Sequence, residues 1–165
     1  MIALAFSPDG STLASMNHRG IRLWDVGTST LRATLIAHED SGQTDTLALA
    51  FSPDGKKLAS VGRGKVLLWD VDTHNLLLEL VRRGPRINTL VFSPDSTILL
   101  VGGGEGTIEM WDTNTYTLTS TIKPHTQRIE ALRFSPDGKT LATGSIDGTI
   151  LLWHWASLAQ RKKTN

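Results

Sequence analysis

Residues 125–153 read HTQRIEALRFSPDGKTLATGSIDGTILLW, with FSPDG beginning at Phe134 and Trp153 following that phenylalanine by 19 residues. The pairing recurs on moving outward. All four phenylalanines, Phe6, Phe51, Phe92 and Phe134, open the motif FSPD, and Trp24, Trp69, Trp111 and Trp153 lie 18 or 19 residues further on. Steps between the phenylalanines are 45, 41 and 42, and between the tryptophans 45, 42 and 42. Four of the six prolines are used up in the motif. The chain is therefore four copies of one unit, and this period belongs to solenoids, propellers or arrays.

Copy 2 shows what one unit builds. Thr46–Phe51 is a short apolar run of strand length, and Ser52-Pro53-Asp54-Gly55 is a tight turn. Proline presets φ at the second position of a type I turn, and glycine accepts the left-handed position of a bulged hairpin. Lys57–Val61 is the return strand, Arg63-Gly64 a second turn, Val66–Val71 a third strand with Trp69, and Leu76–Val81 a fourth. Helix caps and sustained 3.6-residue periodicity are missing. One copy reads as an antiparallel meander of four short strands.

The unit resembles the WD-repeat family, most fully in copy 4, and the resemblance spans residues 2 to about 155. It implies an all-β fold: a β-propeller of four-stranded antiparallel blades, about 2–36, 46–81, 87–122 and 129–155, followed by a tail over 156–165. It also implies a structural hydrogen-bonded set of His, Ser or Thr, Asp and Trp in each blade. Copy 4 has the whole set as His125, Thr143, Asp147 and Trp153. Such a set is chemically sensible, since a buried indole N–H needs an acceptor and a hydroxyl can both donate and accept. Copy 1 keeps Ser15 and Trp24 with Arg19 at the Asp place. Copy 2 keeps Ser60 and Trp69, with His38 displaced, and copy 3 keeps Trp111 beside Val101, Glu105 and Arg83. Those three blades are expected to lean more on apolar packing.

Composition narrows the function classes. With 165 residues, 39% apolar, 20% charged and a net charge of +1, the chain suits one soluble globular domain, and nothing in the balance calls for nucleic acid or an anionic membrane. No cysteine is present, which excludes disulfide frameworks, thiolate zinc sites and cysteine nucleophiles. No apolar run reaches the ~20 residues of a membrane span, and no secretory signal opens the sequence, so a cytoplasmic chain is expected.

Several residues invite sharper readings. His125, Asp147 and Thr143 have the inventory of a nucleophilic triad, but the structural network accounts for them better. The five histidines never take the spacing of a local metal site. Gly102–Gly106 lacks the helix and the Gly-Lys-Ser/Thr of a phosphate loop and reads as a strand-to-strand turn. The Phe and Trp stripes read as core rather than a ligand cage. No catalysis, metal or cofactor is expected. His154 reads as a surface substitution for the usual Asp, and Trp155 as an addition that packs on the last blade or on an added chain.

The ends shape the remaining expectations. SLAQRKK (157–163) is a poor outer strand beside LRATLI, LLLELV and TLTSTI, so the last blade should be three-stranded or closed by a frayed fourth strand, and Arg161, Lys162 and Lys163 read as a solvated tail. An open half-ring would bare sheet faces lined by residues such as Leu4, Phe6, Leu23, Leu132, Phe134 and Leu152, and large apolar patches are rare on soluble monomers. A homodimer closing an eight-bladed ring is the expected remedy. The competing accounts are a fragment of a longer propeller, acting as a structural or regulatory module without binding of its own, and a closed four-bladed monomer. Function is expected to be that of a non-catalytic scaffold for a protein or peptide. Arg19, Arg63, Arg83, Arg86 and Arg128 on one loop face suggest an acidic or phosphorylated partner.

Overall fold

The computed structural model describes residues 3–17, 20–35, 48–62, 64–81 and 86–160. Four antiparallel meanders account for nearly all of them. The first is β1 (Ala3–Phe6), β2 (Thr12–Asn17), β3 (Gly20–Asp25) and β4 (Thr30–Leu35); the second is β5 (Ala48–Phe51), β6 (Lys57–Gly62), β7 (Lys65–Asp70) and β8 (Leu76–Val81). The third is β9 (Ile87–Phe92), β10 (Ile98–Gly103), β11 (Ile108–Asp112) and β12 (Leu118–Ile122). The fourth has three strands among the described residues, β13 (Ile129–Phe134), β14 (Thr140–Ser145) and β15 (Ile150–His154), and continues as the short helix α1 (Trp155–Gln160). The fold is all-β apart from that helix. We call the sheets blades 1 to 4.

Each FSPD motif closes the first hairpin of its blade in one repeated way. The serine hydroxyl donates to the aspartate two residues on at 2.6 Å in all four turns, Ser7–Asp9, Ser52–Asp54, Ser93–Asp95 and Ser135–Asp137. The same serine oxygen accepts the backbone N–H five residues on, at 2.9–3.0 Å. The next residue must be left-handed: Gly10, Gly55 and Gly138 have φ of 71°, 74° and 70°, and blade 3 forces Ser96 to 63°. A side chain is disfavoured there, so glycine suits the position.

A second turn recurs after each of the first three tryptophans. Asp25 and Asp70 each accept from the backbone N–H of the threonine three residues on at 2.8 Å, and Asp112 does so from Thr115 at 3.0 Å. This Asx turn delivers the chain to the outer strand. In blade 4 the place is taken by His154, which offers no carboxylate, and the outer strand is absent among the described residues. Blade 4 thus has three strands among the described residues, and 155–160 form α1, whose Ala, Leu and Gln favour helix. Trp155 lies edge-on to Phe134 with ring centroids 5.0 Å apart, and Leu158 is buried. Trp155 and Leu158 therefore anchor the helix turn on the last blade.

The chain forms two compact units, Met1–Arg86 and Ile87–Asn165, and the same packing rule operates inside each. Strand alternation gives every blade one face with its Phe and Trp and another with small and aliphatic residues. In the first unit Ala14, Met16, Ile21 and Leu23 of blade 1 pack with Leu58, Trp69 and Phe51 of blade 2. In the second, Ile98, Leu100, Ile108 and Met110 of blade 3 pack with Leu141, Phe134 and Trp153 of blade 4. An aliphatic face thus meets the aromatic face of the following blade. Gly102 sits at such a seam, where a Cβ would come within 3.3 Å of Ile129 and Leu132 side-chain atoms.

The seams correct part of the sequence reading. Leu4 and Phe6 stay 63% and 62% exposed and Leu152 72%, but Leu23 and Leu132 are buried, at 1% and 0%. Both point to the opposite side of their sheets, toward the neighbouring blade, and Phe134 is half-covered beneath Trp155. Gly102 and Gly103 end β10 rather than lying in the turn, which is left to Gly104–Gly106.

Candidate functional site

The polar residues singled out in blade 4 converge. Thr143 is on β14, Trp153 on β15, Asp147 in the turn between them, and His125 in the loop before β13. His125 Nε2 lies 2.8 Å from Thr143 Oγ1, which also accepts the Trp153 indole N–H at 3.2 Å. His125 Nδ1 lies 3.1 Å from Asp147 Oδ2 and 3.0 Å from Thr149 Oγ1. The other Asp147 oxygen accepts the Thr149 hydroxyl and backbone N–H at 2.6 and 3.0 Å. The Thr149 hydroxyl, with the Thr126 and Thr149 backbone N–H groups and His125 behind it, holds the Asp147 carboxyl far below the usual carboxylate range.

This geometry ties a loop to a sheet. Thr143 is wholly buried and engages both His125 and the indole, so its oxygen is placed to bridge rather than to attack a substrate. Blades 1 and 2 repeat the indole contact in simpler form. Trp24 donates to Ser15 at 2.9 Å and Trp69 to Ser60 at 3.4 Å. Blade 3 has Val101 in place of the hydroxyl, and Trp111 donates to Glu109 Oε2 at 3.1 Å instead. Glu109 was not foreseen. Its signal lay two residues before each tryptophan, where Arg22, Leu67, Glu109 and Leu151 include one carboxylate.

The arginine set is less gathered. Arg19, Arg63 and Arg83 lie outside the described residues. Arg86 is exposed at the entrance to β9, and Arg128 pairs with Glu130, Nε to Oε1, at 2.5 Å. The structure therefore places two of the five, and Arg128 faces a carboxylate.

Two concave features lie on the first unit, at places the sequence did not single out. An open groove of about 670 Å³ runs between the FSPD turns of blades 1 and 2 and is lined by Ser7, Asp9, Arg32, Asp54, Lys56 and Asp72, among others. Successive turns of a meander alternate between the ends of a sheet, so this groove is at the end of blade 1 opposite the Asn17–Gly20 pair. Its charges are mixed, and Arg32 already donates to Thr12 at 3.0 Å. A smaller apolar hollow of about 270 Å³ lies on blade 1 against Phe6, Leu13, Trp24 and Val26.

The FSPD turns carry a pH dependence. The Ser7 hydroxyl, followed by the Ser11 backbone N–H, lowers Asp9 to about 2, and Ser135 with the Lys139 N–H lowers Asp137. Burial pushes Asp54 and Asp95 upward, and hydrogen bonds from Ser52 and Ser93 lead those that outweigh it. A carboxyl with a folded value below its unfolded value stabilises the fold above the unfolded value, and that contribution is lost as pH falls through the folded one. The thermal midpoint is expected to fall from about pH 4 down to about pH 2. Melting curves at stepped pH should show a shallower acid limb for Asp9→Asn than for the parent chain.

Among the described residues no group of three or more His, Asp or Glu side chains could hold a metal ion, and no helix is long and apolar enough to cross a membrane. Four antiparallel sheets of one repeated meander, with a tryptophan at the seam inside each unit, define a propeller-like repeat protein. The family model described as WD40: WD domain, G-beta repeat, matches residues 2–25, 29–70, 78–112 and 116–154, and the chain belongs to this family. Domains of this family serve in general as non-catalytic protein-interaction scaffolds. No curated protein matches the chain.

Proposed function

We propose that the chain is a non-catalytic protein-binding scaffold that works as a homodimer, two copies joining blade 1 of each to blade 4 of the other in an eight-bladed ring. The observation that carries this reading is a matched pair of bare faces. Blade 1 exposes its aromatic face at Leu4 and Phe6, and blade 4 exposes its aliphatic face at Ile150 (75%) and Leu152 (72%). These are the two kinds of face that meet inside each unit. A head-to-tail contact of this sort closes when the rotation allows it, and an interface of standard size needs ~800 Å² from each partner. Both faces also carry an exposed arginine, Arg22 and Arg133, so association should tighten as salt screens like charges.

Light scattering at micromolar concentration is expected to give twice the 18.0 kDa of one chain, and Phe6→Asp with Leu152→Asp to give one. A single-chain mass for the parent sinks the ring, and leaves the bare faces to be covered by further blades of a longer polypeptide. The partner on this scaffold is a protein or peptide, with an acidic or phosphorylated segment preferred and Arg86 and Arg128 as separate candidate contacts. Charge reversal at both is expected to weaken capture of phosphorylated over unphosphorylated peptides about tenfold on a peptide array. Equal capture removes the acidic preference and leaves the scaffold reading in place.

A further inference from the structure

Blade 4 differs from its three sisters in a way that exposes backbone as well as side chains. In blades 1, 2 and 3 the third strand is covered by an outer strand in one shared register. Trp24, Trp69 and Trp111 pair with Leu31, Leu76 and Leu118, a bulge follows, and Ile21, Val66 and Ile108 pair with Leu35, Leu80 and Ile122. The outer strand is thus Leu-x-x-x-Leu/Ile each time: LRATL, LLLEL and LTSTI. In blade 4 the matching residues are Trp153 and Ile150, and among the described residues no strand lies beside them. Ile21, Val66 and Ile108 are buried at 0–1%, and Ile150 is 75% exposed.

Residues 155–160, which follow β15, are committed elsewhere. Trp155 N–H donates to Lys139 O at 2.8 Å, its ring lies against Phe134, and Leu158 is 2% exposed in the blade 3–blade 4 cluster. Among the described residues, the three outer strands β4, β8 and β12 are each paired in their own blade. An uncovered edge strand offers a row of N–H and C=O groups to any extended segment of suitable pattern.

We propose that β15 is a docking edge that takes up an extended segment of a partner protein by antiparallel strand addition. The segment has the pattern Leu-x-x-x-Leu/Ile, its leucine opposite Trp153 and its final aliphatic residue opposite Ile150. The sister blades define both direction and register. Backbone hydrogen bonds supply the attachment, and the two aliphatic positions supply the selectivity. The backbone groups of this edge lie in the plane of the sheet, whereas Ile150 also belongs to the face that would form the ring, so Phe6→Asp, which touches only the ring, keeps the two proposals distinguishable.

The test uses the whole chain and a labelled peptide of residues 115–123, TYTLTSTIK, which carries the blade 3 outer strand. Saturable binding is expected, with slowed hydrogen exchange at alternate amides of 150–154. N-methylation at alternate peptide residues should weaken binding at least about tenfold, because each methyl removes a donor from the ladder. The chain has no cysteine, so Ile150→Cys gives a single thiol. A peptide with cysteine in place of its isoleucine should cross-link to it, and one with cysteine a residue earlier should not. Unchanged exchange over 150–154, equal binding of the methylated peptide, or equal cross-linking of the two cysteine peptides would overturn the proposal.

Discussion

Gly106→Ala is expected to be among the most damaging single substitutions in the chain, costing about 3 kcal/mol or more and lowering the thermal midpoint by about 10 °C. Two penalties coincide there. Gly106 has φ of 77°, which a residue with a Cβ adopts only under strain. An added Cβ would also meet the carbonyl of His125, 2.6 Å from its carbon, and the Gln127 oxygen at 2.9 Å. Those atoms are backbone and cannot swing aside. They belong to the loop that carries His125, and the His125 N–H donates to Gly106 O at 3.3 Å. Gly10→Ala is the control, with a similar φ of 71° and nothing within 4 Å of the new Cβ. It should cost about 1 kcal/mol, from backbone strain alone. Equal midpoints for the two variants would show that the close approach of the His125 loop carries no weight.

Thr143→Val is the second large effect. The side chain keeps its shape and loses the oxygen that His125 Nε2 and the Trp153 indole both reach. Valine leaves two polar groups in a dry place without that partner, at about 3 kcal/mol in all. Thr143→Ser keeps the oxygen and should cost about 1 kcal/mol, for the lost methyl. Denaturant melts of the two variants, followed by tryptophan emission, separate hydrogen bonding from packing. Thr143→Val matching Thr143→Ser would mean that the bridge adds nothing. Ser60→Ala is expected to be milder, because Trp69 reaches Ser60 at a longer 3.4 Å and no histidine shares that oxygen.

How far the sequence reveals the structure depends on whether a feature is repeated. FSPD and the trailing tryptophans are spaced by strand and turn lengths that barely vary, so the meanders could be read from them. The features that escaped are departures from the repeat. Glu109 replaces a hydroxyl by reaching from a different strand position, and only the side-chain geometry shows that it meets Trp111. His154 looked like a surface change, yet it removes the carboxylate that caps the turn into an outer strand, and α1 follows. Leu23 and Leu132 were placed on the wrong face because a leucine in a strand signals burial without saying which side is covered. The groove between FSPD turns depends on the placement of two separate copies, which no local pattern encodes.

The turn at FSPD also bears on how quickly the polypeptide organises itself. Every ladder among the described residues joins strands that are consecutive in the chain. Closing so short a loop takes little entropy, and proteins dominated by neighbouring pairings reach their native state faster than sandwiches that must first bring distant segments together. Each hairpin can form before its neighbours are in place, so assembly should proceed sheet by sheet.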